Sequence, residues 1–227
     1  MAIFLSFSGL WLVLLLTLFV IRFGRHLHKH EYRYYTVFAI LTLAATVFSV
    51  LQQIEPTAWL TTPLIYQVVW QGHLTLALFI LVMFAGAFKK KSKAKIVLTR
   101  VRRELAILGF MTLIPHATLL IITALSAFNP TGTLALLVMT PLFITSFPKI
   151  RKKMSPLSWR KLHRWAYPAY ALIFLHIASI TVIAQRGGSG EYNALWWLRL
   201  GIYTFIFAFY CYLKYQNYLK PSIQKAA

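Results

Sequence analysis

Trp159-Arg160-Lys161-Leu162-His163-Arg164-Trp165-Ala166-Tyr167-Pro168-Ala169-Tyr170-Ala171-Leu172-Ile173-Phe174-Leu175-His176 opens in positive charge, runs into apolar sequence and carries a histidine at each end. An imidazole inside hydrocarbon is costly, so each histidine is a candidate functional group. The thirteen residues from one to the other, wound as helix at ~1.5 Å per residue, set them ~20 Å apart along the axis. That separation suits two redox centres stacked through a membrane.

Composition supports a membrane. The 227 residues are 59% hydrophobic and 16% aromatic, with a mean hydropathy of +0.66. A soluble domain of this size could not cover so much apolar surface, which makes lipid the expected solvent. The formal charge of +20 does not indicate a nucleic-acid partner, because the basic residues are gathered in short stretches between apolar runs. Asp is absent, and Glu occurs only at Glu31, Glu55, Glu104 and Glu191. Paired-carboxylate catalysis, Ser-His-Asp triads and oxygen-ligated metal sites therefore lack raw material. The single Cys211 excludes an internal disulfide, a thiolate zinc site and a cysteine-ligated iron–sulfur cluster, and is expected to be a buried apolar residue. Histidine is what remains for chemistry.

Working outward, seven apolar stretches can be drawn: Ile3–Ile21, Tyr34–Ile54, Tyr66–Phe88, Leu105–Phe128, Leu134–Phe147, Trp165–Ala184 and Ala194–Leu213. Most have the ~20 residues a spanning helix needs. The fifth is short and interrupted by Pro141, and is taken to begin at Thr131. All 24 basic residues except Arg186 and Arg199 follow the first, third, fifth or seventh stretch. The positive-inside rule then puts the N-terminus outside and the C-terminus in the cytoplasm. The charges follow the first apolar run rather than precede it, so it reads as an anchor helix and not a cleavable signal. The expected fold is an all-α polytopic membrane helical bundle of about seven transmembrane helices. It comprises an N-terminal anchor helix and basic loop (1–33), a membrane core (34–213) and a cytoplasmic tail (214–227). The outer loops are short and poor in charge, and no glycine-rich phosphate loop of the dinucleotide type is present, so NADPH has no recognisable site.

His116 lies 11 residues into the fourth span and His176 lies 11 residues into the sixth, each ~17 Å from the inner boundary at ~1.5 Å per residue. Two neutral imidazoles at equal depth on different helices are what a bis-histidine haem b requires. The plainer reading gives each a backbone carbonyl or a neighbouring hydroxyl as partner. Pro115 removes a hydrogen-bond donor just before His116 and is expected to kink the helix and turn that imidazole inward. His163, at the inner boundary, is either a ligand of a second haem or a boundary residue touching a propionate. On an ideal helix it would lie ~220° from His176, so Pro168 must alter the winding or His163 must precede the helix proper. His73, about a turn above the His116/His176 level, could contact a propionate, replace a ligand, line a quinone or flavin (FMN) pocket, or serve structure alone. Arg199 is costly in lipid and should face a partner, with an outer propionate the expected one; Arg103, at the inner end of the fourth span, completes the candidate cofactor-binding set. His26, His28 and His30 alternate in a basic loop where charge repulsion works against metal binding, so a solvated or headgroup-facing loop is expected.

Several motifs together carry a resemblance. Arg102-Arg103-Glu104-Leu105 leads to His116; Thr145-Ser146-Phe147-Pro148 follows; then come Trp159-Arg160-Lys161-Leu162-His163, Tyr167-Pro168-Ala169-Tyr170 and Leu175-His176. In order, charge placement and histidine spacing, roughly Tyr66 to Tyr212 resembles the ferric reductase-like transmembrane domain family. Within it the chain is most similar to short bacterial members such as the haem-binding membrane subunit of the periplasmic methionine sulfoxide reductase system. The resemblance implies a six-helix core, here with one extra N-terminal helix, and b-type haem ligated through His116, His176 and His163. It also implies a role as the membrane component of an oxidoreductase rather than a complete enzyme. Two departures leave one haem or two open: no second histidine stands on the fourth span, and a Gly-Arg common in the family reads Gly72-His73 here.

The resulting expectation is a transmembrane electron-transfer subunit in a cell membrane, bacterial plasma membrane by resemblance. It would draw electrons from a separate flavoprotein or quinol and pass them to a partner reductase or an extracytoplasmic acceptor such as ferric iron. The alternatives are a haem-free transporter or channel, to which Pro115, Pro141 and Pro168 would lend broken helices, and an accessory scaffold in which the histidines are dispensable.

Overall fold

The computed structural model describes residues 7–54, 63–89, 91–123, 129–187 and 194–226, and all regular structure among them is helical. The chain forms two compact units, Met1–Phe128 with Leu213–Ala227, and Asn129–Tyr212.

The first unit contains α1 (Ser8–Lys29), α2 (Glu31–Ile54), α3 (His73–Ala85) and α4 (Lys93–Thr123). A helical turn at Pro63–Ile65 continues into a π-helical segment, Tyr66–Trp70, before α3. Helix α3 is apolar on every side and buried from Ala77 through Met83, packed on α4 and α1. That burial is the expected fate of a helix without a polar face. The second unit contains α5 (Pro130–Ile144), a turn at Pro148–Arg151, α6 (Pro156–His163), α7 (Ala166–Gly187) and α8 (Ala194–Ala226), whose end from Leu213 belongs to the first unit. Helix α5 packs along α7.

Among the described residues, four helical stretches are long and apolar enough to cross a membrane: Ser8–Lys29, Glu31–Leu51, Pro156–Ile183 and Ala194–Asn217. Two shorter apolar helices, α3 and α5, accompany them. Large apolar side chains such as Leu15, Leu18, Ile40, Leu43 and Phe205 lie exposed along these helices, Phe205 by 70%. In water such surfaces would aggregate, whereas lipid solvates them. Hydroxyls inside the apolar helices turn back onto carbonyls four residues earlier: Thr17 on Val13, Thr46 on Thr42, Thr140 on Leu136 and Thr181 on Ile177. With no water to bond, this is how a polar side chain in lipid satisfies itself.

Each of the seven apolar runs contains helix, but several boundaries differ from expectation. The third run is broken rather than continuous: a Gln71 N–H to Tyr66 carbonyl bond of 2.8 Å closes the π turn, and Gly72 has φ +72°. An L-residue adopts that left-handed backbone only at a cost, which glycine avoids. The basic segments expected as loops are largely helical: α4 starts at Lys93, α1 runs through Lys29, and α8 continues through the tail to Ala226. Cys211, expected to be buried, is exposed on α8, where an apolar helix turns small residues toward lipid as readily as inward. Glu55, Glu191 and the outer segment 55–62 lie outside the described residues.

Candidate functional site

In the first unit the site is built around His116. Its α4 helix continues through the buried Pro115, and its Nδ1 lies 2.5 Å from the Trp70 carbonyl. A carbonyl can only accept, so Nδ1 carries the proton and donates it. The lone pair of the neutral ring is then on Nε2, the tautomer that a metal-ligating histidine uses when its other nitrogen is held by backbone. The carbonyl is available because Trp70 ends the π segment, where the last carbonyls of a helix have no partner within it. Gly72 lies against the same ring: a Cβ there would sit 3.3 Å from Cγ and 3.4 Å from Cδ2 and Nδ1. Next to it His73, the first residue of α3, is buried with Nδ1 2.5 Å from the Ser8 hydroxyl. The N-terminal helix α1 is thereby tied to the residue that follows the glycine.

In the second unit α5 holds two histidines, one near each end. A Cβ on Gly132 would lie 2.7 Å from both Cε1 and Nδ1 of His176, so the imidazole occupies the space a side chain would take. The Asn129 side chain caps α5 by accepting from the Thr131 and Gly132 N–H groups. Its Nδ2 donates to the Ser179 hydroxyl at 2.8 Å, and that hydroxyl donates to the His176 carbonyl at 2.9 Å. Helix α5 is thus fixed to α7 at the level of His176. At its other end Thr145 meets His163, hydroxyl to Nε2, at 3.1 Å. His163 also stacks on Trp159 with ring centroids 4.1 Å apart, and the Trp159 indole N–H donates to the Thr145 carbonyl at 3.3 Å.

Gly132 and Thr145 are as far apart in sequence as His176 and His163, so one helix gauges the ~20 Å between the imidazoles. His163 ends α6, and α7 begins at Ala166. A two-residue turn thus breaks the helix between the two histidines inside the apolar stretch Pro156–Ile183, and the angular mismatch of an unbroken helix does not arise. Pro168 falls in the first turn of α7, where its missing N–H costs little.

The two candidate arginines are placed as follows. Arg103 binds Glu31, and Glu104 at 2.8 Å. Arg199 lies over the Trp196 ring at 4.3 Å from its centroid, a cation–π contact that offsets part of its cost in an apolar helix. Sequence reasoning missed Trp70, Gly132, Ser8, Asn129 and Ser179. In the Asn129-Pro130-Thr131-Gly132 run, asparagine before a proline is a helix N-cap signal. Nothing in the sequence marks a backbone carbonyl as a histidine partner.

These settings fit an iron porphyrin by donor type: an imidazole of fixed tautomer in the first unit and an imidazole in the second, each packed against a glycine where a side chain would crowd the ring. No curated protein and no solved structure matches the chain. Residues 71–174, a little under half of it, match the family model described as Ferric reductase like transmembrane component. That span contains Gly72, His73, His116 and His163 and stops two residues short of His176; with the apolar helices, it identifies a multi-pass membrane protein.

Proposed function

We propose that the chain is the membrane electron-transfer component of a reductase system, spanning the bilayer seven times with its basic ends in the cytoplasm. One haem b would be held by His116 and His176, and would supply a one-electron carrier inside the lipid. The observation that carries this reading is the Trp70 carbonyl on His116 Nδ1 at 2.5 Å beside Gly72; His116 and Gly72 lie within the residues that match the ferric reductase-like model, and Trp70 immediately precedes them.

The chain's own residues have separate tasks. The Trp70 carbonyl keeps the His116 ring proton on Nδ1 and so directs Nε2 to the metal. Gly132 and the Asn129–Ser179 link set where the His176 ring can stand. Lysines and arginines at the cytoplasmic ends favour an acidic donor surface, so a separate flavoprotein suits the donor role, with a membrane quinol as the other source. The acceptor is a partner reductase or an extracytoplasmic oxidant such as ferric iron.

Expression with ample haem, followed by dithionite-reduced minus oxidised spectra and a haem count per chain, tests the reading. A paired low-spin spectrum lost in both His116→Ala and His176→Ala is the expected result. A colourless wild-type chain, or a spectrum unchanged in either variant, overturns it.

A further inference from the structure

Two of the four acidic residues in the chain meet in the first unit, on the side of α1, α2 and α4 where the basic residues lie. Glu31 opens α2, Glu104 lies on α4, and His28 stands in the last turn of α1. Each offers a donor atom within 4.8 Å of the other two. His28 Nδ1 is 2.8 Å from Glu104 Oε1, a contact between residues 76 apart in sequence. Burial is graded across the group: the Glu104 side chain is 0% exposed, Glu31 12% and His28 51%.

The cluster contains an unmet demand. Glu104 Oε1 accepts from both His28 and Arg103, whereas Oε2 of the same carboxylate is buried with no hydrogen-bond partner. A buried carboxylate oxygen without a partner is strongly unfavourable. Arg103 reaches both carboxylates but leaves that oxygen unmet. A metal ion would supply the missing partner and draw all three donors onto one centre.

We propose that His28, Glu31 and Glu104 form a binding site for a divalent first-row cation, separate from the histidines assigned above to haem. One imidazole nitrogen and two carboxylates suit Zn²⁺ or Mn²⁺; the imidazole disfavours Mg²⁺ and Ca²⁺, and the lack of thiolate disfavours Cu⁺. Composition alone argued against such a site, with so few carboxylates and so much positive charge around the alternating histidines. Folding answers both objections by bringing two carboxylates from different helices to one histidine of the three. Arg103, 37% exposed, would turn outward as the cation enters from the His28 side; the proton that now bridges His28 Nδ1 and Glu104 would pass to solvent, leaving the neutral ring's proton on Nε2.

The test uses the full chain in detergent, stripped with chelator, equilibrated with Zn²⁺ and desalted, with zinc counted per chain by mass spectrometry. Manganese binding followed by electron paramagnetic resonance gives a second readout, and neither depends on haem content. About one zinc per chain is expected, with affinity at least ~10-fold weaker in Glu31→Gln and in His28→Asn. His26→Asn and His30→Asn should bind as the wild type does. Glu104→Gln should also lose zinc; because that residue is buried and its variant can misfold, the more exposed His28 and Glu31 variants decide the matter. No retained zinc in the wild type, as when a proton shared by Glu31 and Glu104 holds the pair together, overturns the proposal. So does retention in Glu31→Gln and His28→Asn, or loss that follows His26 or His30.

Discussion

Replacing Gly132 by alanine adds one methyl group to the first turn of α5 and tests the placement of His176 directly. The new Cβ would lie 2.7 Å from the Cε1 and Nδ1 atoms of the ring. Ordinary contact begins near 3.4 Å, so the ring must withdraw by about 0.7 Å. The obstacle is the end of a side chain rather than backbone, so the fold should survive, and alanine adds up to ~1 kcal/mol of helix propensity. Metal–ligand distances tolerate only about ±0.2 Å, and the displacement is roughly three times that. Loss of the His176 bond to iron is expected, seen as conversion from low-spin to high-spin haem by absorption and electron paramagnetic resonance. Thermal unfolding should change little. Gly201→Ala is the matched control, because a Cβ there meets nothing within 4 Å. A Gly132→Ala protein that keeps the wild-type low-spin spectrum, or a Gly201→Ala protein that loses it equally, would refute this reasoning.

Other substitutions examine the remaining contacts. Gly72→Ala forces φ +72° on an L-residue beside the His116 ring; a loss of ~1–2 kcal/mol in stability is expected, together with weaker haem retention, and an unchanged melting temperature would argue against the left-handed turn. Ser8→Ala removes the hydroxyl bonded to buried His73 and should cost ~1 kcal/mol, read as a lower melting temperature in detergent; no change would mean that α1 does not anchor the start of α3. His163→Ala should leave the haem count at one per chain, since its Nε2 is engaged by Thr145 and its ring by Trp159; a count falling from two to one would establish a second haem ligated there.

Much of this architecture could be read from the sequence because membrane helices announce themselves by length and charge. Every apolar run contains helix, and a break falls between His163 and Ala166, in line with the poor angular register of His163 and His176 on one ideal helix. Legibility ended where a feature depended on backbone conformation or on residues distant in the chain. Hydropathy is continuous from Tyr66 to Phe88, so it could not reveal a π turn and a left-handed glycine that deliver the Trp70 carbonyl to His116. Nothing local marks Gly132, because its partner, His176, is on another helix. The same blindness applied to charge. Glu31 and Glu104 seemed too few and too scattered to hold a metal, yet the pairing of α1 and α2 with α4 makes them neighbours.

A common physical cause connects these cases. In lipid, where hydrogen bonds and charges find no water, each buried polar atom must be answered by another from the same chain. His116 is answered by a carbonyl, His73 by Ser8, and His163 by Thr145. Glu104 Oε2 is a buried carboxylate oxygen with no such answer. These three histidines therefore need not bind anything for the fold to be satisfied, and the case for haem rests on the His116 tautomer and on the glycines against the His116 and His176 rings. The case for a cation at Glu104 rests instead on a deficit that the protein leaves open. The two readings can fail independently: a colourless chain that still takes up zinc through His28 and Glu31 would remove the first and keep the second.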